Sequence, residues 1–296
     1  MGRKKSWSLE RAQYINAFSW ANWFNRIYDI AISSISWKNL PLTIPQDFIE
    51  RVLFFNGKIL FFEDELMGLT ALPFTSESIL NVYGLPTERR AYSIGNSYTK
   101  GGLTETNSVI CFNNTSKTCS VDDAILAAER LTDIERSIDV NVKAQKTPVV
   151  IVADDDSQKL TYINAWEQYD GNKPVLLARN SFNLDKFNVQ VPTQEYKADK
   201  LNILKRQLFQ EILTYFGIEA NTNEKNERMI SNEIQSNLGA TEVFRKSRLN
   251  ARKYAVEKIN EMFGTNIEVE FNSDLLLSRL GGVEFGNLYN ETENNL

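Results

Sequence analysis

Residues 121–146 read VDDAILAAERLTDIERSIDVNVKAQK. Ile125, Ala128, Leu131, Ile134, Ile138 and Val142 recur at helical spacing and predict one long helix. Asp122 and Asp123 at its start and Lys143 and Lys146 at its end match the helix dipole, and Pro148 enforces a stop. Beyond it the pattern predicts a strand at Val149 to Ala153, a helix at Lys159 to Tyr169 closed by Gly171, and a strand at Pro174 to Ala178. A third helix is expected from Ala198 to Phe216, carrying Leu201, Leu204, Leu208, Ile212 and Leu213, with Gly217 as its C-cap. Two long helices thus bracket an α/β excursion: a helix running down, a cap, and a helix running back up.

Upstream, residues 8–38 read as a single long helix with Ser8 as N-cap. Leu9, Ala12, Ile15, Phe18, Phe24, Ile27 and Ile35 supply its apolar positions. Tyr14, Trp20, Trp23, Tyr28 and Trp37 widen that stripe over most of the circumference, so the helix must be buried on several sides or against neighbouring subunits. From about 46 to 120 the pattern shifts to short strands. Arg51 to Phe55 and Lys58 to Phe62, joined by Asn56-Gly57, predict a β-hairpin. Leu69 to Leu72, Ile79 to Tyr83, Ala91 to Ile94 and Val109 to Phe112 follow, suggesting a small barrel-like unit. Downstream, Glu224 to Gln235 reads as a polar helix broken at Ser236 to Thr241. A helix resumes from Val243 to Phe263, ended by Gly264, with a strand at Ile267 to Phe271 and a fraying tail.

The composition excludes more chemistry than it proposes. The 296-residue chain contains no histidine, so Ser–His and Cys–His catalysis, histidine-ligated metals and a histidine proton switch are out. Its two cysteines, Cys111 and Cys119, cannot build a four-thiolate zinc site. They read as small buried residues, with a pairing across a short hairpin as the alternative. No Gly-x-x-x-x-Gly-Lys-Ser/Thr or Gly-x-Gly-x-x-Gly loop is present, and Thr99-Lys100-Gly101-Gly102 has the wrong order for one. Asp154-Asp155-Asp156 reads as a solvated turn rather than a cation site, so neither metal nor cofactor is expected. Asn113-Asn114-Thr115 matches a glycosylation sequon without consequence in a cytosolic chain. Met1 to Lys5 looks like the start of a leader, but no apolar run follows, and charges interrupt the stretch Ala12 to Trp37. Neither secretion nor a membrane span is expected.

Thirty-three basic against 38 acidic residues confine any nucleic-acid contact to local spots. One is Arg3-Lys4-Lys5, followed by Trp7 and Tyr14, a combination able to hold phosphates and stack a base. Another is Arg245, Lys246, Arg248, Arg252, Lys253 and Lys258, for which a solvated face or an intersubunit ion-pair face is an equal reading. Long aromatic helices, local basic spots and no catalytic constellation describe an oligomeric structural protein rather than an enzyme.

Several stretches together resemble one family, the connector (upper collar, or portal) proteins of small short-tailed phages with protein-primed linear genomes. They are WKNLPLTI (37–44), NVKAQKTPV (141–149), DKLN (199–202), FGI (216–218), EKNERMISNE (224–233), KSR (246–248) and EKINE (257–261). Their order and separations match up to about residue 271, while residues 63–120 and the tail match poorly. The resemblance implies an α+β portal fold: long stem helices, an α/β clip insert and a β-rich wing with an SH3-like barrel, assembled as a ring of twelve copies around a DNA channel. It assigns 1–40 to a basic arm and long helix, 41–120 to part of the wing, 121–148 and 196–217 to the stem and 149–195 to the clip. Residues 218–271 become wing helices with a channel loop at 231–244, and 272–296 the crown or tail.

It implies too that Arg3, Lys4 and Lys5 engage the nucleic acid of the packaging motor. Lys200 lies in a matching segment and is a candidate for a basic channel ring; Lys205 and Arg206 are added by inference. Ser231, Asn232, Glu233, Gln235, Asn237, Gly239 and Thr241 would form the channel loop. Partners would be double-stranded DNA, the motor (an ATPase, with or without a packaging RNA), the major capsid and scaffolding proteins and the lower collar or tail protein, without a membrane. The protein would sit in the virion after assembly in the host cytoplasm, serving genome packaging, retention and ejection. A non-viral oligomeric nucleic-acid-binding or scaffold protein is the alternative.

Overall fold

The computed structural model describes residues 3–145, 149–153, 175–179, 195–219 and 231–272. The chain divides into two compact units, one formed by residues 1–129 and 208–296 and the other by 130–207. In chain order the elements are α1 (Arg3–Ser33), β1 (Ile35–Lys38), α2 (Gln46–Asn56), β2 (Lys58–Asp64), β3 (Gly68–Leu72), β4 (Phe74–Ser76), β5 (Arg89–Tyr92), β6 (Thr99–Leu103) and β7 (Ser108–Phe112). Then come α3 (Val121–Ala144), β8 (Val149–Ala153), β9 (Val175–Arg179), α4 (Ala198–Tyr215), α5 (Ser231–Phe263) and β10 (Glu268–Phe271).

In the larger unit, β2 is the central strand of an antiparallel sheet in the order β3-β2-β7. Its alternate residues enter two different cores. Ile59 and Phe61 join Ile49, Leu53, Ala255 and Ile259 on one face, while Leu60 and Phe62 join Phe74, Ala91 and Leu103 on the other. A strand covered on both sides reads as an unbroken apolar run, as Ile-Leu-Phe-Phe does. The second core is closed by a separate sheet, β4-β5-β6, so the β-rich region is two three-stranded sheets and not the expected barrel. A barrel needs an unbroken round of strand pairing, and no strand of one sheet pairs with a strand of the other.

The Asn56-Gly57 signal belongs to a helix. Residues 51–55 lie in α2, and Gly57, at φ 72°, caps it by donating its N–H to the Leu53 carbonyl at 2.9 Å. A left-handed residue serves a hairpin turn and a helix end equally, and burial of Ile49, Val52 and Leu53 on one face decided for the helix. Gly57 is needed twice, because a Cβ there would stand 2.9 Å from the Cys119 backbone nitrogen.

Three further expectations are corrected. The first helix begins at Arg3 and stops at Ser33, not Trp37 or Lys38. The Ser34 hydroxyl donates to the Ala31 carbonyl at 2.7 Å, and Ile35 and Trp37 then alternate inward as β1, paired antiparallel with β10. Ile79 to Tyr83 is a loop with one bridge, Leu80 to Pro86, whereas Thr99 to Leu103 is a strand. The break at Ser236 to Thr241 is absent, since α5 runs unbroken from Ser231 to Phe263. One glycine within good helix formers costs about 1 kcal/mol, too little to end a helix packed along its other half.

In the smaller unit β8 and β9 pair in parallel, from Val149 with Val175 to Ala153 with Arg179. Parallel neighbours need a crossover connection; the helix expected at Lys159 to Tyr169 and the Asp154 to Asp156 turn lie outside the described residues. Asn141 of α3 donates to the Glu195 carbonyl at 3.1 Å and accepts from the Lys197 amide at 2.9 Å, fixing where the chain re-enters α4.

The larger unit is locked by ionic contacts. Glu50 and Arg252, 3% and 2% exposed, form a two-pronged pair at 2.6 and 2.9 Å. All five guanidinium N–H groups find acceptors, on Glu50, Asn113 and the Arg248 carbonyl, and Trp37 Nε1 donates to Glu50 at 2.8 Å. Arg252→Met or Glu50→Gln should each lower stability by about 3–5 kcal/mol, because the partner charge is left buried. Joint replacement by apolar residues should recover most of it in urea denaturation.

A smaller lock joins the two sheets, where the Tyr98 hydroxyl donates to Asp64 at 2.6 Å. That hydrogen bond, then the Leu66 amide, hold the Asp64 carboxyl below its usual value. Burial and then Asp64 push the Tyr98 hydroxyl up to about 12, so it remains a donor. A carboxyl whose folded value lies below its unfolded one stabilises above about pH 4, and the gain is lost as pH falls through the folded value. The stability gap between wild type and Tyr98→Phe should therefore be constant near neutrality and narrow below about pH 4.

Candidate nucleic-acid interface

The basic run on α5 is largely internal. Positions 245, 248 and 252 share a helix face with Leu249, Ala255 and Ile259, which is the core face. Arg252 holds Glu50 as above. Arg248, 5% exposed, donates to the Ser120 hydroxyl at 3.1 Å and lies over the rings of Phe216 and Tyr215 at 4.7 and 4.9 Å. Its Nη2 has no hydrogen-bond partner, and burial pulls its pKa down to about 10. The two aromatic faces supply the attraction that a carboxylate supplies for Arg252. Of the rest, Lys246 pairs with Glu242 at 3.3 Å, Lys258 lies over Tyr254, and Lys253 is exposed. The one sequence sign of this arrangement was Glu50, a lone acid amid Phe48, Ile49, Val52 and Leu53 on the apolar face of α2.

Within the larger unit, α5 also holds the first turn of α3 and the last turn of α4. Arg248 reaches Ser120, immediately before α3, and Tyr215 on α4 donates to Asp123 on α3. Burial and then Asp123 raise the Tyr215 hydroxyl to about 12. Arg245 donates to the Gly217 carbonyl at 2.9 Å and pairs with Glu219 at 3.1 Å. Gly217, at φ 78°, packs directly on α5, and a Cβ there would stand 2.7 Å from Arg245 Cα. Gly217→Ala should cost more than about 1 kcal/mol through strain and clash together, seen as a lower thermal midpoint.

Lys200 is exposed on α4, Lys205 half-buried and Arg206 exposed. At 3.6 residues per turn Lys205 and Arg206 stand about 140° and about 240° round the helix from Lys200. No single helix face presents all three, so at most one or two can belong to a common ring.

In segment 231–244, Ser231, Asn232, Glu233, Gln235 and Asn237 lie on the first turns of α5, with side chains outside the described set. Gly239 is exposed, whereas Thr241 is 4% exposed and faces its own subunit. Arg3, Lys4 and Lys5 form the first turn of α1, which holds no acidic residue. Cations at the positive end of a helix dipole are unfavourable unless an anion sits beside them.

Both cysteines are free thiols. Burial pushes Cys111 up to about 12, and burial and then Asp122 raise Cys119, so neither is an activated nucleophile. Among the described residues no group of three or more acidic, cysteine or histidine side chains is placed to hold a metal ion.

A model of the Phage Connector (GP10) family matches residues 6–276 of this chain. Among solved structures, a chain from "Portal and tail of native bacteriophage P68" is similar at 16% identity, with a TM-score of 0.48 over 96% of this chain and 95% of that one.

Proposed function

We propose, from the premise that this chain belongs to the phage connector family and is a connector (portal) protein of the phage particle, that twelve copies close into a ring around double-stranded DNA at one capsid vertex. The family match over residues 6–276 carries this reading. The family is a structural one of the virion, and no catalytic role is assigned to any residue here. In this reading α3 and α4 form the stem around the channel, 149–195 the clip, the two small sheets part of the wing, and 272–296 the crown. Packaging, retention and ejection of the genome follow from the position of such a ring. The capsid, scaffolding and tail proteins and the ATPase motor are its neighbours, with assembly in the host cytoplasm. No described helix is long and apolar enough to cross a membrane.

Large apolar side chains stand exposed on several helices: Ile125 and Leu126 on α3, Ile203 and Leu204 on α4, Val243 and Phe244 on α5. Further copies of the chain would cover them. A duplex must slide through the channel, so uniform phosphate binding would stall it; a few cations such as Lys200 give weak, repeated contacts instead. Segment 231–244 would meet DNA as a helical end rather than as a loop.

Purified protein should show a uniform ring with an axial hole in negative stain and a mass of many copies by light scattering. A stable 33.9 kDa monomer at micromolar concentration would overturn the proposal. Deleting residues 1–6 should leave rings intact and flatten the salt dependence of nucleic-acid binding by about three phosphate contacts per subunit.

A further inference from the structure

Strand β5 lies between two exposed apolar features, one at each end of its sheet. At one end the β4–β5 connection, residues 77–88, exposes Ile79, Leu80, Val82 and Tyr83 at 86, 54, 93 and 81%. At the other, Tyr98 of the β5–β6 turn donates to Asp64, whose second carboxylate oxygen accepts from the Leu66 and Met67 amides. One carboxylate therefore ties the β5–β6 turn to the β2–β3 turn. On these two turns Leu66, Met67 and Ile94 are exposed at 96, 41 and 62%. Hydrogen bonds hold the tip in shape as well. Asn81 Oδ1 accepts from the Tyr83 and Leu85 amides, both at 2.9 Å, and Leu80 bridges to Pro86. Buried Arg89 donates to the Pro86 carbonyl at 3.3 Å and to the Ser108 carbonyl at 2.9 Å, which anchors the tip to β7.

Large apolar side chains held rigidly in water mark a contact with another protein. Residues 78–87 and 91–99 contain no charged residue, in a chain where 24% are charged. An uncharged knob meets an uncharged patch without stripping water from an ion, whereas a charged partner surface would lose its hydration. The chain itself supplies such a matching pair, at opposite ends of one sheet. A different protein on the tip would leave the patch at the other end without a partner. Two unlike patches at opposite ends join copies head to tail, the arrangement that closes into a ring, whereas a two-fold pair sets tip against tip. Four side chains fall well short of the about 20 residues a side that a free-standing pair of proteins uses, so the contact acts alongside others around the ring. Resting on the reading of this chain as a ring subunit, we infer that the 79–83 tip of each copy docks on the Leu66, Met67 and Ile94 patch of the next.

The test places one cysteine in each feature, Val82→Cys with Leu66→Cys, in a Cys119→Ser background that leaves only buried Cys111. Rings confirmed by negative stain are treated with a short bismaleimide and run on a denaturing gel. The double variant should give a ladder of dimers and higher multimers, and each single-cysteine variant only monomers. Val82→Ser/Tyr83→Ser should keep the circular dichroism of the wild type, because both side chains are exposed in the subunit. Its rings should come apart at a protein concentration about tenfold or more above that of wild-type rings. If wild-type rings form and the double variant stays monomeric on the gel, the docking is refuted and the ring reading stands. If the wild type forms no rings, that reading fails with it. Serine-variant rings as stable as the wild type would refute the docking too. Dimers from Val82→Cys alone would show tip meeting tip and refute the head-to-tail contact, and the cross-link decides even where the serine variant misfolds.

Discussion

A carboxylate and a guanidinium removed from water organise the larger unit. Glu50 enters from α2 and Arg252 from α5, more than 200 residues later in the chain. Every N–H of the arginine is used, and one of them reaches the Asn113 carbonyl just beyond β7. Apolar contacts alone are indifferent to small slides of one helix on another, whereas a two-pronged ion pair is not. The pair therefore sets the register of α5 on α2 and on the end of β7. Its net contribution to stability is small next to the cost of breaking it.

From that register the remaining contacts follow. With Arg252 placed, Arg248 and Arg245 one and two turns earlier reach Ser120 and the Gly217 carbonyl. These lie beside the first turn of α3 and the last turn of α4. One helix thus pins the ends of both long helices within this unit, and it pins them by different means. Arg245 uses a carbonyl and a carboxylate, and Arg248 two aromatic faces and a hydroxyl. The ends of both helices are thereby held in fixed positions on α5.

The sequence and the structure agree where periodicity was long and local. Helix α3, helix α4 with its Gly217 cap, strands β3, β7 and β10, and the ends at Gly264 and Ala153 were legible from spacing and punctuation alone. So was the apolar excess of the first helix. They diverge where one local signal serves two structures. Asn56-Gly57 fits a hairpin or a helix end, and only the packing of Ile49 and Leu53 selects the helix. Ile35 and Trp37 continue a helical stripe on paper, but strand β10, some 230 residues away, draws them into a sheet. The polar stretch 236–241 lacks apolar periodicity yet stays helical, because absence of a core face is not a stop signal.

The amino-acid sequence by itself determined the absence of histidine chemistry, the long helices with their caps, and a basic amino terminus followed by aromatic residues. Those properties depend on residue identity and on neighbours within a few turns. Only the tertiary structure decided which arginines are buried, since one spacing on α5 serves a solvated face or an ion-pair core, depending on what packs against it. Likewise it decided that Tyr14 and Phe18 are exposed while Trp23, Ile27 and Ala31 on the same helix are buried. Burial and direction arise between segments distant in sequence, and no local pattern records them.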